Sequence, residues 1–166
     1  MDIRQMHELI TETTFSDVSK LRNSWRDYVQ NIPFSWFVTL TFKEQVNHQE
    51  ARGRFFYWLR KLNEASYGKR YREKKLGVSF LLALEMQWRE VLHIHALIGG
   101  TVDSQDRYLW KLFWERNFYR KGIKRINGFA QIDKFDPNKD AIGYLTKEVI
   151  SGDEVDVYIS HHDRCI

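Results

Sequence analysis

The chain has 166 residues, a length that suits one domain with a substantial core, and its 43% of hydrophobic residues argues against global disorder. Its net charge of +4 is moderately basic, which favours an anionic partner such as nucleic acid. The single cysteine, Cys165, excludes an intramolecular disulfide framework. The sequence has neither a signal-peptide core nor an apolar run of membrane-spanning length, so we expect a soluble, intracellular protein with no membrane partner.

The first half of the chain is predicted to place helices around one strand. Residues 1–35 are expected to form an N-terminal helical segment, and residues 36–42 the first strand of a sheet. Asn47 and Glu50 resemble a capping pair at the start of the next helix. One face of that helix is expected to bury a set of apolar residues: Ala51, Phe55, Trp58, Leu59 and Leu62.

The second half is predicted to begin with a β-hairpin. Two runs rich in strand-forming residues, 78–86 and 91–98, flank a short polar break. A helix is expected to begin at Ser104 and to end at Gly122. Residues 126–135 contain a strand in which apolar and polar positions alternate.

The chain is predicted to end with one more helix and a tail. Asp136 and Pro137 are expected to open the helix as its N-cap and its first helical residue. Residues 151–166 form an acidic tail that is expected to be flexible. Together the elements predict a single α+β domain over residues 1–166, with a central antiparallel sheet and flanking helices.

The hairpin carries the residues with the clearest chemical meaning. His93 and His95 point to the same face because side chains alternate along a strand. If the hairpin loop has an odd number of residues, Glu85 lies opposite His93 on that face; an even number turns it away. Two imidazoles and one carboxylate suit a divalent metal with open coordination positions. The alternative is a pair of partly buried histidines that only form hydrogen bonds.

The last helix carries a second candidate pair. Tyr144 and Lys147 are three residues apart, so they are neighbours on the helix surface. They lie beside an apolar stripe formed by Ala141, Ile142, Leu145 and Val149. An ammonium group stabilises a phenolate, so this pair is a candidate nucleophile, and an ordinary exposed tyrosine and lysine are the alternative.

Three motifs in this order resemble those of the HUH endonucleases, specifically the single-tyrosine initiators (Rep proteins) of rolling-circle replication. The segment from Phe37 to Phe42 resembles the first motif, a strand with alternating threonines. His93-Ile-His95 resembles the second, and Tyr144-Leu-Thr-Lys147 resembles the third. The resemblance spans residues 36 to 150, most of the chain.

The resemblance implies a ferredoxin-like (RRM-related) fold with a metal site on a central hairpin. Glu85, His93 and His95 would bind Mg²⁺ or Mn²⁺, and Tyr144, assisted by Lys147, would be the catalytic nucleophile. The implied reaction is site-specific nicking and joining of single-stranded DNA through a 5′-phosphotyrosine, which initiates and terminates rolling-circle replication.

The resemblance also implies the partners. The substrate would be single-stranded DNA or an origin hairpin, inside a prokaryotic host cell or in the replication compartment of a virus host. The sequence contains no Walker A motif, so a separate helicase and a DNA polymerase are expected to act in trans. With one tyrosine in the third motif, a homodimer is one expected arrangement for successive transfers.

Candidate DNA-binding residues combine positive charge, hydroxyl groups and one aromatic ring. Cations track phosphates, and aromatic rings stack on unpaired bases. The candidates are Thr39, Thr41, Lys69, Arg70, Arg72, Lys74, Trp88, Lys124 and Arg125. For each basic cluster, a solvated loop is the alternative.

Two other functions remain open at the level of sequence. A non-catalytic module that binds an origin or hairpin would need no metal at Glu85. A metal-dependent phosphodiesterase would use water and would still cleave after Tyr144→Phe. A transposase would use the tyrosine chemistry for a different biological purpose.

Overall fold

A computed structural model of the protein describes residues 20, 23–24, 26–27, 30–86, 91–100, 107–116, 118–120, 122–141, 143, 145 and 158–160. In these residues the elements in chain order are β1 (Phe34–Phe42), α1 (His48–Tyr67), β2 (Ser79–Met86), β3 (Leu92–Gly99), α2 (Arg107–Glu115), β4 (Phe118–Arg120), β5 (Ile123–Arg125), β6 (Asn127–Lys134) and β7 (Tyr158–Ser160). The described residues between 20 and 27 are also helical. Neither α1 nor α2 has the length and apolar character that crossing a membrane requires.

The main sheet has the strand order β6-β1-β3-β2-β7, and every neighbouring pair is antiparallel. β2 and β3 form the predicted hairpin, and β3 is the central strand. β4 and β5 pair separately as a second, two-stranded sheet. The predicted fold class is confirmed: this is an α+β arrangement with helices packed on an antiparallel sheet.

One face of the sheet is covered by α1 and α2. Alternate residues of β1, such as Val38 and Leu40, point into this core and are fully buried. Tryptophans join the two helices to each other and to the sheet. The indole nitrogen of Trp58 in α1 donates to the carbonyl of Trp110 in α2 at 2.9 Å, and that of Trp114 donates to the carbonyl of Thr41 at 3.1 Å.

Helix α1 begins as the sequence predicts. The Asn47 side chain accepts a hydrogen bond from the backbone nitrogen of Glu50 at 2.8 Å, which satisfies one free amide of the first turn. The helix ends at Gly68, whose φ of +83° favours glycine. The apolar residues predicted to be buried are confirmed in the core: Ala51, Phe55, Trp58, Leu59 and Leu62.

The opposite face of the sheet carries a smaller apolar cluster. Its buried members are Ile32, Phe34, Leu81, Ala83, Leu97 and Leu145. Leu145 belongs to the last helix, in which Ala141, Gly143 and Leu145 are the described helical residues. Ala141 packs against the same cluster, so both described members of the predicted apolar stripe face the sheet.

The predicted helix that ends at Gly122 is too long. Helix α2 ends at Glu115, and residues 118–125 form the hairpin of β4 and β5. Gly122, with a φ of +75°, lies in the turn of that hairpin. Aromatic and β-branched residues such as Phe118 and Ile123 favour pairing here over another helical turn.

The predicted start of the last helix also needs correction. Asp136 accepts from the backbone nitrogen of Asn138 at 3.0 Å and so closes a turn. The N-cap is Asp140, which accepts from the backbone nitrogen of Gly143 at 3.0 Å. Arg26 donates to the same carboxylate at 2.9 Å, so this cap links the N-terminal helical residues to the last helix.

Several sequence predictions lie outside the described residues. They concern the first part of the N-terminal segment, the hairpin loop with Trp88, the helical residues Tyr144 and Lys147, and most of the acidic tail. Ser104, the predicted start of α2, is also outside; α2 is described from Arg107.

Helix α1 contributes a buried cation to the helix-covered core. The side chain of Arg54 is only 2% exposed. Its guanidinium donates to the carbonyl of Ile126 at 3.2 Å, to the side chain of Asn127 at 3.1 Å and to Glu50 at 2.8 Å, and it also pairs with Glu44. These bonds hold α1 against the start of β6.

Replacing Arg54 tests how strongly this cluster supports the fold. Because Arg54→Met leaves two carboxylates and a carbonyl without their buried partner, we expect the free energy of unfolding to fall by about 3 kcal/mol. The control is Arg60→Met in the same helix, where the side chain is 45% exposed and lies 3.7 Å from Glu64. An exposed pair contributes less than about 1 kcal/mol. Urea unfolding measures both, and equal losses would contradict this role for Arg54.

Candidate functional site

The strand pairing brings the candidate residues to one face of the sheet. His93 of β3 lies opposite Glu85 of β2 and opposite Thr41 of β1, and His95 lies opposite Thr39. Directly opposite residues of antiparallel strands point to the same face. The predicted register, with Glu85 opposite His93, is confirmed. This face is the one that α1 and α2 leave uncovered.

The ring of His95 is held on both sides. Its Nε2 atom lies 2.8 Å from Oε2 of Glu85, and its Nδ1 atom lies 3.2 Å from the hydroxyl of Thr39. Phe37 packs beside it, with ring centroids 6.0 Å apart. His95 is only 7% exposed, so its orientation is set by these three neighbours.

Burial lowers the pKa of both His93 and His95 from the ordinary value near 6.5. For each ring, desolvation is the larger effect, and the negative charge of Glu85 opposes it. The nearby His93 lowers the pKa of His95 further. At neutral pH, His95 is therefore a neutral imidazole hydrogen bonded to Glu85 rather than the cation of an ion pair.

The donor set of this cluster suits a divalent metal, with two imidazoles and one carboxylate. In the part of the chain that the structure describes, no three histidine, cysteine, aspartate or glutamate side chains are arranged as a metal site. Glu85 and His95 bond to each other instead, and the rings of His93 and His95 are 6.4 Å apart. The chemistry fits, and a bound ion would have to replace the hydrogen bond between Glu85 and His95.

Thr41 has a structural role beside the cluster. Its hydroxyl accepts from the backbone nitrogen of Phe129 at 2.9 Å and donates to the Phe129 carbonyl at 3.2 Å. These bonds join β1 to β6 where their register shifts. A side chain at Gly128 would lie 2.7 Å from the Thr41 backbone, so the two strands approach closely here. A contact between Thr41 and DNA stays a prediction.

The last helix lies on the same face as the cluster. Its Leu145 is buried in the small apolar cluster together with Ala83. Ala83 lies opposite His95 and is two residues from Glu85 in β2. Tyr144 is the neighbour of Leu145 in sequence, but it lies outside the described residues.

The predicted basic residues fall at two ends of the sheet. The segment with Lys69, Arg70, Arg72 and Lys74 lies between α1 and the start of β2, and these side chains are exposed. A strand rises about 3.4 Å per residue, so the start of β2 lies roughly 20 Å from Glu85. Lys124 is exposed in β5, shortly before β6 begins beside Phe42. The side chains of Arg125 and Trp88 lie outside the described part.

Two aromatic residues of this face were not assigned a role from the sequence. Phe37 packs against the ring of His95, and Phe129 is 57% exposed although it is large and apolar. The signal for Phe129 was its position on the polar side of an alternating strand, beside Gln131 and Asp133. The contact of Phe37 depends on the pairing of β1 with β3.

Comparison with known families gives one match. The model of the family described as Replication-associated protein ORF2 matches residues 35–152. The matched span begins in β1 and includes the hairpin cluster and the last helix. Comparison with curated proteins and with solved structures found no match.

The lowered pKa values predict a pH dependence of stability in metal-free protein. Between the lowered pKa of His93 and His95 and about 6.5, the folded protein binds fewer protons than the unfolded chain. The free energy of unfolding should therefore fall as the pH drops through this window. NMR titration of the imidazoles in EDTA measures the pKa values, and urea unfolding measures the stability. A pKa of His95 at or above 6.5 would contradict the prediction, and His95→Gln should weaken the dependence.

Proposed function

The chain belongs to the replication-associated protein ORF2 family, and from this membership together with the hairpin cluster we propose that it nicks and joins single-stranded DNA by tyrosine transesterification. Its biological role would be to initiate and terminate rolling-circle replication. The proposal combines a family role in replication with the chemistry that Glu85, His93 and His95 can support.

The observation that carries the proposal is the placement of Glu85 and His95. A carboxylate and an imidazole lie 2.8 Å apart on a sheet face that also holds His93 and the last helix. A purely structural role does not require these groups to gather on the face left open by α1 and α2. A metal-assisted phosphoryl transfer does require such a set of donors.

Glu85, His93 and His95 would hold Mg²⁺ or Mn²⁺, and the bound ion would polarise a non-bridging oxygen of the scissile phosphate. The protein prepares the donors for this task. Thr39 and Phe37 fix the ring of His95, and burial keeps both imidazoles neutral, the form in which they can donate a lone pair.

Tyr144 would carry out the transfer. Its phenolic oxygen attacks the phosphorus while the bond from phosphorus to the 3′ oxygen breaks. The 5′ phosphate becomes a phosphotyrosine, and the proton lost by the phenol ends on the released 3′ hydroxyl. Lys147 would favour the phenolate by its charge. Because a phosphodiester is replaced by a phosphodiester, the reverse step can join strands.

The remaining parts of replication would come from partners. A helicase and a DNA polymerase would act in trans, and a homodimer would supply a second tyrosine for termination. The cations predicted to contact DNA would follow the strand away from the site, among them Lys124 near the His93 end of the sheet.

A covalent adduct is the direct test of this chemistry. We expect a slower-migrating protein–DNA band on a denaturing gel after incubation with labelled origin hairpins or random single-stranded oligonucleotides and Mn²⁺. Tyr144→Phe and EDTA should each abolish the band, because one removes the nucleophile and the other the metal. Tyr158→Phe is the matched control and should retain it.

Other results would point to other functions. Cleavage that survives Tyr144→Phe would indicate a phosphodiesterase that uses water. Tight DNA binding without cleavage on every substrate would indicate a non-catalytic binding module.

Thr39 should matter for metal affinity because its hydroxyl contacts Nδ1 of His95 at 3.2 Å. A hydroxyl can donate or accept, so it can serve either tautomer of the ring. When Nε2 binds a metal, Nδ1 carries the proton and needs an acceptor. We expect Thr39→Val to weaken Mn²⁺ binding about 10- to 100-fold. Calorimetric titration measures the affinity, and Thr39→Ser, which keeps the hydroxyl, is the control. Equal affinity of the valine variant would exclude this role.

A further inference from the structure

A groove runs between helix α2 and the edge strand β6. Arg107, Tyr108 and Lys111 of α2 line one side, and residues 129–133 of β6 line the other. Its volume is about 550 Å³, which lies in the range of small-ligand sites. We call it the β6 groove. Neither the candidate metal cluster nor the sequence-predicted basic residues belong to it.

The β6 groove contains two unusually exposed aromatic rings. Tyr108 is 72% exposed and Phe129 is 57% exposed, the highest values among the large hydrophobic side chains in the described residues. Both line the same groove. Exposed rings at one place favour a ligand that offers flat, apolar faces.

The charge of the β6 groove favours an anionic ligand. Arg107 and Lys111 contribute two cations, and Lys111 lies 3.7 Å from Glu115. Asp133 is the carboxylate that lines the groove, and it accepts a hydrogen bond from Gln131 at 2.7 Å. Rings beside cations are the combination that binds unpaired nucleotides, through stacking and through phosphate contacts.

The β6 groove is close to the candidate metal cluster. The backbone of Phe129 bonds to the hydroxyl of Thr41, and Thr41 lies opposite His93. Two interstrand spacings therefore separate Phe129 from His93, which is about 10 Å. A single strand whose phosphate lies at the cluster can place a neighbouring base on Phe129.

We infer that the β6 groove binds bases of single-stranded DNA next to the cleaved phosphate, with Phe129 and Tyr108 as stacking surfaces and Arg107 and Lys111 as phosphate contacts. This inference rests on the proposed function, because it takes single-stranded DNA as the substrate. Stacking does not read a base sequence strongly, so the groove supplies affinity and position rather than recognition of the origin.

The edge of β6 argues against a protein strand as the occupant. A partner chain that extends a sheet needs the free backbone groups of an edge strand. The backbone nitrogen of Ala130, inside the groove, already donates to Glu115 at 3.0 Å. A paired strand would have to break this bond, whereas stacked bases leave it in place.

The test compares single-stranded DNA affinities of variants of the full chain. The probe is a fluorescently labelled random-sequence oligonucleotide pool in EDTA, followed by anisotropy. We expect Phe129→Ala and Tyr108→Ala each to raise the dissociation constant by about fivefold or more, the effect of losing one stacked base. Both side chains are exposed, so the variants should keep the native circular dichroism spectrum.

Tyr57 is the matched control. It is an exposed tyrosine with Arg60 and Lys61 near its ring, at 5.1 and 5.9 Å, but it lies on α1, which covers the opposite face of the sheet. Tyr57→Ala should leave the affinity within a factor of about two, since no base would stack there.

A second readout does not depend on the variants. Oligonucleotides that contain 5-iodouracil, irradiated on the unaltered protein and analysed by mass spectrometry, should crosslink to Phe129 or Tyr108. Crosslinks confined to other residues would overturn the inference, and so would unchanged affinities of both alanine variants. A change in dimer mass with unchanged DNA affinity would assign the groove to subunit contact instead. If the unaltered protein bound no single-stranded DNA, the proposed function itself would fail.

Discussion

The pairing register of the central strand β3 is the constraint on which the site depends. β3 pairs with β1 on one side and β2 on the other, and these two registers bring Thr39, Glu85, His93 and His95 to one face. A shift of either pair by one residue would turn its side chains to the other face. The shift would also move apolar residues of the core into water, so burial of the helix-covered face enforces the geometry of the open one.

A chain of hydrogen bonds joins the two faces. Arg54, buried in the helix-covered core, donates to Asn127, and Asn127 donates to the carbonyl of Trp114. The indole of Trp114 donates to the carbonyl of Thr41, whose hydroxyl bonds to the backbone of Phe129. The packing of α1 and α2 thus supports the edge strand beside the candidate site. Residues on the far side of the sheet contribute to the site without touching any ligand.

The features that could be predicted from the sequence are those with local signals. Alternation places Glu85 and the histidines in a hairpin, and Asn47 with Glu50 marks the start of α1. Other features depend on distant partners. Arg54 has the sequence context of a surface arginine, and its burial depends on Ile126 and Asn127. The end of α2 was misplaced because helical periodicity continues into a segment that pairs as β4. The cap moved from Asp136 to Asp140 because two carboxylates competed for one role.

The contact between Glu85 and His95 has a consequence for how tightly this face can hold an ion. A hydrogen bond to a charged group contributes about 1.5–3 kcal/mol, and any cation that takes its place must first break it. Such a cation binds roughly 10- to 150-fold more weakly than it would to the same donors already held apart. The ion would therefore be exchangeable rather than resident, and its occupancy would follow the concentration of free divalent cations around the protein.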